Sequence, residues 1–260
     1  MSYRHVKIGG DSVNRTLTLA RPDVRNAFNA ELIAETTGAL SELANDNATR
    51  TLIVAAEGRT FCAGADFHWM GGLKDAGLEA NIEDSRRLFE MFCAMYTFPC
   101  ATIARVQGGA FGGGAGLAAC CDFVVMGRDA VLSFSEVRIG LVPATISPFV
   151  IRKIGEGRAR EVFLTGMQIP AERALEIGLA SRVVDNEMLD AAVADYIITQ
   201  AQCGPTAVRV TKELLRDVPG MSLESARDYT AKRIAGQRMS SEGQEGMAAF
   251  LDKRKPDWAN

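Results

Sequence analysis

The sequence predicts an α/β protein, with a strand-rich β/α first half and a helical last third. Two observations carry that reading. Short apolar runs at 51–55, 101–106 and 122–126 read as strands. From residue 157 onward apolar residues recur mostly at helical spacing. A third feature organises the chain. Between residues 101 and 148, Gly108, Gly109, Gly112, Gly113 and Gly114 precede a small-residue helix, and Glu136 follows a short way downstream. Adjacent glycines before a helix can bring bare backbone N–H groups close to a ligand, and those groups favour negative charge.

Each element has its own signal. Residues 3–20 alternate as a β-hairpin with Gly9, Gly10 and Asp11 as the turn. Arg21 to Ala27 is a loop with two cations, followed by a helix at 30–43. After the strand at 51–55, the small residues Ala63, Gly64 and Ala65 leave backbone uncovered before the next helix, offering a second set of N–H donors. Leu88, Phe89, Phe92 and Met95 mark a packing helix at 82–96 that stops before Pro99. The central stretch reads as a strand (101–106), the glycine turn, a helix to 121, a strand (122–126) and an extended segment (131–134). A helix-like face follows Ala144, and helices are expected at 157–165, 171–177, 187–200, 205–216, 222–238 and 242–254.

Composition narrows the function. The 260 residues carry a formal net charge of −3, so there is no broad basic field for nucleic acid. No apolar run approaches the roughly 20 residues of a membrane span, and the N-terminus lacks the apolar core of a secretory signal. A cytoplasmic protein without membrane or nucleic-acid partners is expected. The six cysteines form no C-x-x-C, and His5 and His68 are the only histidines, so zinc patterns fail and free thiols are expected.

Two glycine motifs compete for the central stretch. Gly114-x-Gly116-x-x-Ala119 loosely fits a dinucleotide fingerprint, with Glu136 about 20 residues on. Its context is wrong, because seven residues from Gln107 to Gly113 separate it from the strand. A phosphate-binding P-loop fails for want of Gly-Lys-Ser/Thr. The better reading is an oxyanion site of two backbone donors, one from 62–66 and one from 112–114, with Glu136 as acid or base.

These segments resemble the crotonase family, also called the enoyl-CoA hydratase/isomerase family, over nearly the whole chain. The residues that carry the likeness are Arg21-Pro22-x-x-Arg25-Asn26-Ala27, Phe61-Cys62-Ala63-Gly64-Ala65-Asp66, Gly112-Gly113-Gly114, Cys121-Asp122 and Glu136-Val137-x-x-Gly140-Leu141-x-Pro143. The resemblance implies a crotonase-like spiral of β-β-α turns over 1–200, a helical C-terminal trimerisation region over 201–260, and a homotrimer or dimer of trimers. It also implies an acyl-CoA thioester substrate whose carbonyl oxygen accepts hydrogen bonds from the Ala65 and Gly113 N–H groups. Coenzyme A is then carried by the substrate and no separate cofactor is expected. Arg25 and Ala27 would line the CoA groove, with Ala63, Gly64, Asp66, Gly112 and Gly116 around the site. The terminal helix would bring Phe250 and Lys253 toward a neighbour's CoA.

One departure matters. Many family hydratases use two glutamates, and the position of the first is Gly116 here, while the second is kept as Glu136. Finer likeness around Trp69-Met70, Phe111 to Leu117 and Ser135 to Pro148 resembles the bacterial methylglutaconyl-CoA hydratase group of leucine and terpene breakdown. It implies hydration of 3-methylglutaconyl-CoA to 3-hydroxy-3-methylglutaryl-CoA, with Arg138 or His68 meeting the distal carboxylate. A Δ3,Δ2-enoyl-CoA isomerase, a glutaconyl-type decarboxylase and a non-catalytic acyl-CoA-binding protein are the rivals.

Overall fold

The computed structural model describes residues 3–72 and 75–259. A hairpin opens it, β1 (Val6–Gly10) and β2 (Asn14–Leu19), closed where the Asp11 N–H donates to the Asn14 carbonyl. Helix α1 (Ala30–Ala44) starts at Asn29, whose side chain accepts from the Leu32 N–H, and buries Leu32, Ile33, Thr36, Ala39, Leu40 and Leu43 along one face. Strand β3 (Thr51–Ala56) leads to α2 (Phe67–Gly72) and α3 (Gly77–Tyr96). The central stretch forms β4 (Ala101–Val106), β5 (Gly109–Phe111), α4 (Gly113–Cys120), β6 (Phe123–Gly127) and β7 (Val131–Ser133). A 3-10 turn at Glu136–Ile139 precedes α5 (Ser147–Thr165).

The remainder is β8 (Gln168–Pro170), α6 (Ala171–Glu176), β9 (Arg182–Val184), α7 (Leu189–Ala201), α8 (Pro205–Asp217), α9 (Leu223–Met239) and α10 (Ser241–Leu251). Six strands make one sheet in the order β1-β2-β3-β4-β6-β9, parallel from β2 onward, and β5, β7 and β8 make a smaller one. The chain therefore winds as a spiral. Each turn lays a strand in the large sheet, then an extended piece in a second layer, then a helix. Phe28 and Cys62 supply that extended piece in the early turns by isolated parallel bridges, Phe28 to Ala65 and Cys62 to Ala110.

Five elements differ from the sequence expectation. The glycine turn contains strand β5, which three residues flanked by glycines do not announce. Helix α3 begins at Gly77, five residues before the expected start at 82, because its first turns build a cavity wall instead of the core. Strands β8 and β9 are three residues each, too short for an alternation signal. The gap between the helix-like face after Ala144 and the helix expected at 157–165 is a break at Gly155, whose φ of 77° interrupts α5.

The main core lies between the large sheet and α1, α3, α4 and α5, and a second small core packs Ile53, Ile103 and Val125 under Leu189, Ala192 and Val193 of α7. Helix α8 is fastened to the sheet by one carboxylate. Asp122 Oδ2 accepts from the Thr102 N–H at 2.8 Å, the Thr102 hydroxyl at 2.9 Å and Lys212 Nζ at 2.6 Å. Lys212 also donates to the Cys100 carbonyl. Asp122→Ala would leave these donors without their acceptor, and urea unfolding is expected to show a loss of about 2–3 kcal/mol.

Candidate active site

Two backbone amides and one carboxylate meet in a cavity of 380 Å³. Ala65 belongs to the loop after β3. Its neighbours are tied down on one side, since the Phe28 N–H donates to the Gly64 carbonyl and the Asp66 N–H donates to the Phe28 carbonyl. That parallel bridge turns the Ala65 N–H away from Phe28, and it donates to no backbone carbonyl among the described residues. Gly113 opens α4, so its N–H has no partner within the helix.

The two segments are locked side by side. The Cys62 N–H donates to the Gly109 carbonyl and the Phe111 N–H to the Cys62 carbonyl. Gly64 has a φ of 89°, and a Cβ there would stand 2.8 Å from the Phe111 carbonyl oxygen, so only glycine permits the approach. The loop is braced from outside by Arg21, which donates to the Ala27 carbonyl and pairs with Asp66 at 3.4 Å. Asp66 in turn accepts from the His68 N–H at the start of α2, a role in holding the loop.

Glu136 stands at the start of the 3-10 turn, and its carboxylate reaches back toward Gly112. A Cβ on Gly112 would be 3.1 Å from Glu136 Oε1. Its Oε2 is buried with no hydrogen-bond partner among the described residues. Burial raises the pKa above the ordinary glutamate range, against a smaller opposing pull from its own backbone amide. A carboxylate with one unpartnered oxygen and raised proton affinity, beside two free N–H donors, can move a proton at carbon next to a carbonyl whose oxygen those donors hold.

The position of a second carboxylate is closed. Gly116 is buried in α4, and a Cβ there would lie 2.2 Å from Ile146 Cγ2. Ile146 lines the cavity from the loop before α5, so an apolar methyl group covers the place where the family's first glutamate would project.

Among the residues singled out from sequence, Ala63, Gly64, Ala65, Gly112, Gly113 and Glu136 line the cavity. Arg25, Ala27, Asp66 and Gly116 stand outside its lining. Arg25 is exposed and Ala27 buried, both in the loop that runs beside Ala63, whose N–H donates to the Arg25 carbonyl. Arg138 also stands outside the lining. Its exposed side chain leans on Gly166 and donates to the Thr165 carbonyl, away from the cavity. His68 is exposed and is not in the lining either. Phe250 lies on α10, in a separate apolar depression with Met247 and Trp258, and Lys253 lies in the turn that follows α10. Within one chain neither reaches the cavity.

The cysteines are free among the described residues, and burial pushes the Cys62 thiol up to about 12, which removes it as a nucleophile at neutral pH. One wall of the cavity lies outside the residues singled out from sequence. Asn81, Asp84, Ser85 and Leu88 line the cavity from the first half of α3. Their i, i+3, i+4, i+7 spacing was available, but a stripe of mostly polar residues does not register as a packed face.

A family model described as enoyl-CoA hydratase/isomerase matches residues 12–260. The chain belongs to this family. A solved enoyl-CoA hydratase from Shewanella pealeana is 35% identical and superposes with a TM-score of 0.94, covering 98% of this chain and 96% of that one. The structure of Pseudomonas aeruginosa AtuE is 31% identical with a TM-score of 0.96, covering 99% and 100%. The 2,3-dehydroadipyl-CoA hydratase of Escherichia coli is 30% identical over 243 residues, 93% of each chain. The fold is therefore the crotonase spiral, and the chain is an enzyme of a family whose named relatives are hydro-lyases.

Two outcomes test this geometry. Gly116→Ala is expected to cost about 1–3 kcal/mol through the clash with Ile146, and the double variant Gly116→Ala/Ile146→Ala to recover part of it, a coupling readable by urea unfolding. Glu136 carries the opposite sign. Its raised pKa means the native state keeps a proton that the unfolded chain releases, so its contribution falls as pH rises from the ordinary glutamate range through the raised one. Glu136→Gln is expected to raise Tm at about pH 8, with the gain vanishing near about pH 4.

Proposed function

We propose that the chain adds water across the double bond of a 2-enoyl-CoA. The observation that carries this reading is the convergence of the Ala65 and Gly113 N–H groups with the Glu136 carboxylate, whose Oε2 is unpartnered among the described residues, in one cavity. The two amides hold the thioester oxygen and stabilise it as it gains charge, which leaves C3 electrophilic. Water oxygen bonds to C3 while Glu136 accepts one of its protons, and the same proton passes to C2 as the enolate collapses. With Gly116 covered by Ile146, Glu136 does both transfers.

The acyl portion of the substrate is read as uncharged. The described lining residues include Asp84 and Glu136 but no Lys, Arg or His. A second reading, 3-methylglutaconyl-CoA giving 3-hydroxy-3-methylglutaryl-CoA, is favoured by the motif likeness from Ser135 to Pro148, and it requires a cation for the distal carboxylate. A third, Δ3,Δ2-enoyl-CoA isomerisation, is favoured by Ile146, since a single base suffices to shuttle a proton between C2 and C4. The C-terminal helices expose Leu223, Met239, Phe250 and Leu251, and we assign that surface to a homotrimer or a dimer of trimers.

Crotonyl-CoA, 3-methylglutaconyl-CoA and 3-hexenoyl-CoA, each followed by product mass, separate these readings. Water gain on crotonyl-CoA at least as fast as on methylglutaconyl-CoA is expected. Faster hydration of the methylglutaconyl substrate would install the second reading, and rearranged hexenoyl-CoA with no water gain anywhere would install the third. Glu136→Gln is expected to lower kcat by about 10²–10⁴-fold.

A further inference from the structure

The first half of α3 presents a carboxylate to the cavity that neither proton transfer nor packing uses. Asp84 is half-buried and accepts no hydrogen bond among the described residues. Among the described residues Arg87 is the cation that acts on it, and Arg87 also pairs with Glu83 at 3.5 Å. Burial raises the Asp84 pKa, as expected for a carboxylate on a partly dehydrated wall.

Position along the helix says which part of a substrate it meets. Phe92 lies against Gly113, since a Cβ on Gly113 would be 3.5 Å from the Phe92 ring. Leu88 is one turn further out and Asp84 two turns, about 12 Å of helix axis from Phe92. Leu88, Ser85, Asp84 and Asn81 form a continuous strip of the cavity wall, apolar near the amide donors and polar beyond them. That distance is too great for Asp84 to touch water at C3 of a thioester held by Gly113. It suits the far part of a longer acyl chain.

We propose that Asp84 is a specificity-determining residue, accepting a hydrogen bond from an uncharged hydroxyl on the distal part of a medium-length acyl chain and repelling a terminal carboxylate. This rests on the cavity being the acyl-CoA site. A hydroxyl supplies the donor that the unpaired oxygens lack, whereas a second carboxylate would add like charge to a wall whose described residues hold no cation.

The test uses medium-chain 2-enoyl-CoAs matched in length and ending in methyl, hydroxyl or carboxylate. Each kcat/KM is divided by that for crotonyl-CoA, whose chain stops short of Asp84. Wild type is expected to favour hydroxyl over carboxylate, Asp84→Asn to narrow that ratio about tenfold or more, and Asp84→Lys to reverse it. Calorimetric binding of the corresponding saturated thioesters gives the same comparison without turnover. A hydroxyl-to-carboxylate ratio within about twofold of wild type in Asp84→Asn, by both readouts, overturns the proposal. If no enoyl-CoA is turned over by wild type but the binding order holds, the hydratase reading fails and the Asp84 assignment stands.

Discussion

Two isolated parallel bridges, Phe28 to Ala65 and Cys62 to Ala110, hold this molecule's chemistry in place. In a parallel bridge one residue bonds through its own N–H and carbonyl, here Phe28, while the other, here Ala65, has its neighbours bonded and its own N–H facing the other way. At Ala65 this turns an ordinary loop amide into a donor aimed at the cavity. The second bridge fixes that loop against β5, directly before the first turn of α4, where Gly113 has an amide with no helical partner. A donor pair worth several kcal/mol to a developing oxyanion thus arises from backbone topology alone.

The spiral explains why these donors coincide. Each chain turn places an extended piece at the same level of the second layer, between a strand of the large sheet and a helix. Successive strand-to-helix transitions are stacked, and the bare amides at two of them fall side by side. Small residues follow as a consequence. Gly64 must pass the Phe111 carbonyl and α4 must lie against the loop, so bulk is excluded from both segments. Glu136 is then carried in by the next turn of the spiral, at the end of β7, and its burial against Gly112 is a stability cost retained beside the donors.

The cavity's two carboxylates serve different distances. Glu136 lies at the donor end and Asp84 two helical turns outward on α3. Leu88 and Ile146 add apolar surface to the same lining. Ile146 has a double effect, filling the space beside Gly116 and leaving the reacting end with a single acid–base group. Glu136 at the donor end and the polar strip of α3 further out are the observations on which the proposed division between proton transfer and acyl-chain recognition rests.

By itself the sequence determined the α/β class, the order of the long helices, the two amide-bearing segments and Glu136. These features are local: apolar periodicity, glycines before a helix and a carboxylate between apolar runs all leave a mark within a few residues. Tertiary structure decided the rest. That Ile146 occupies the space beside Gly116 depends on a contact across 30 positions, and no local pattern records it. The placement of Arg138 outside the cavity follows from the direction in which a 3-10 turn presents successive side chains. Asp84 joined the site because α3 extends past its buried stripe and turns its polar face inward, which only the packing of neighbouring elements could settle.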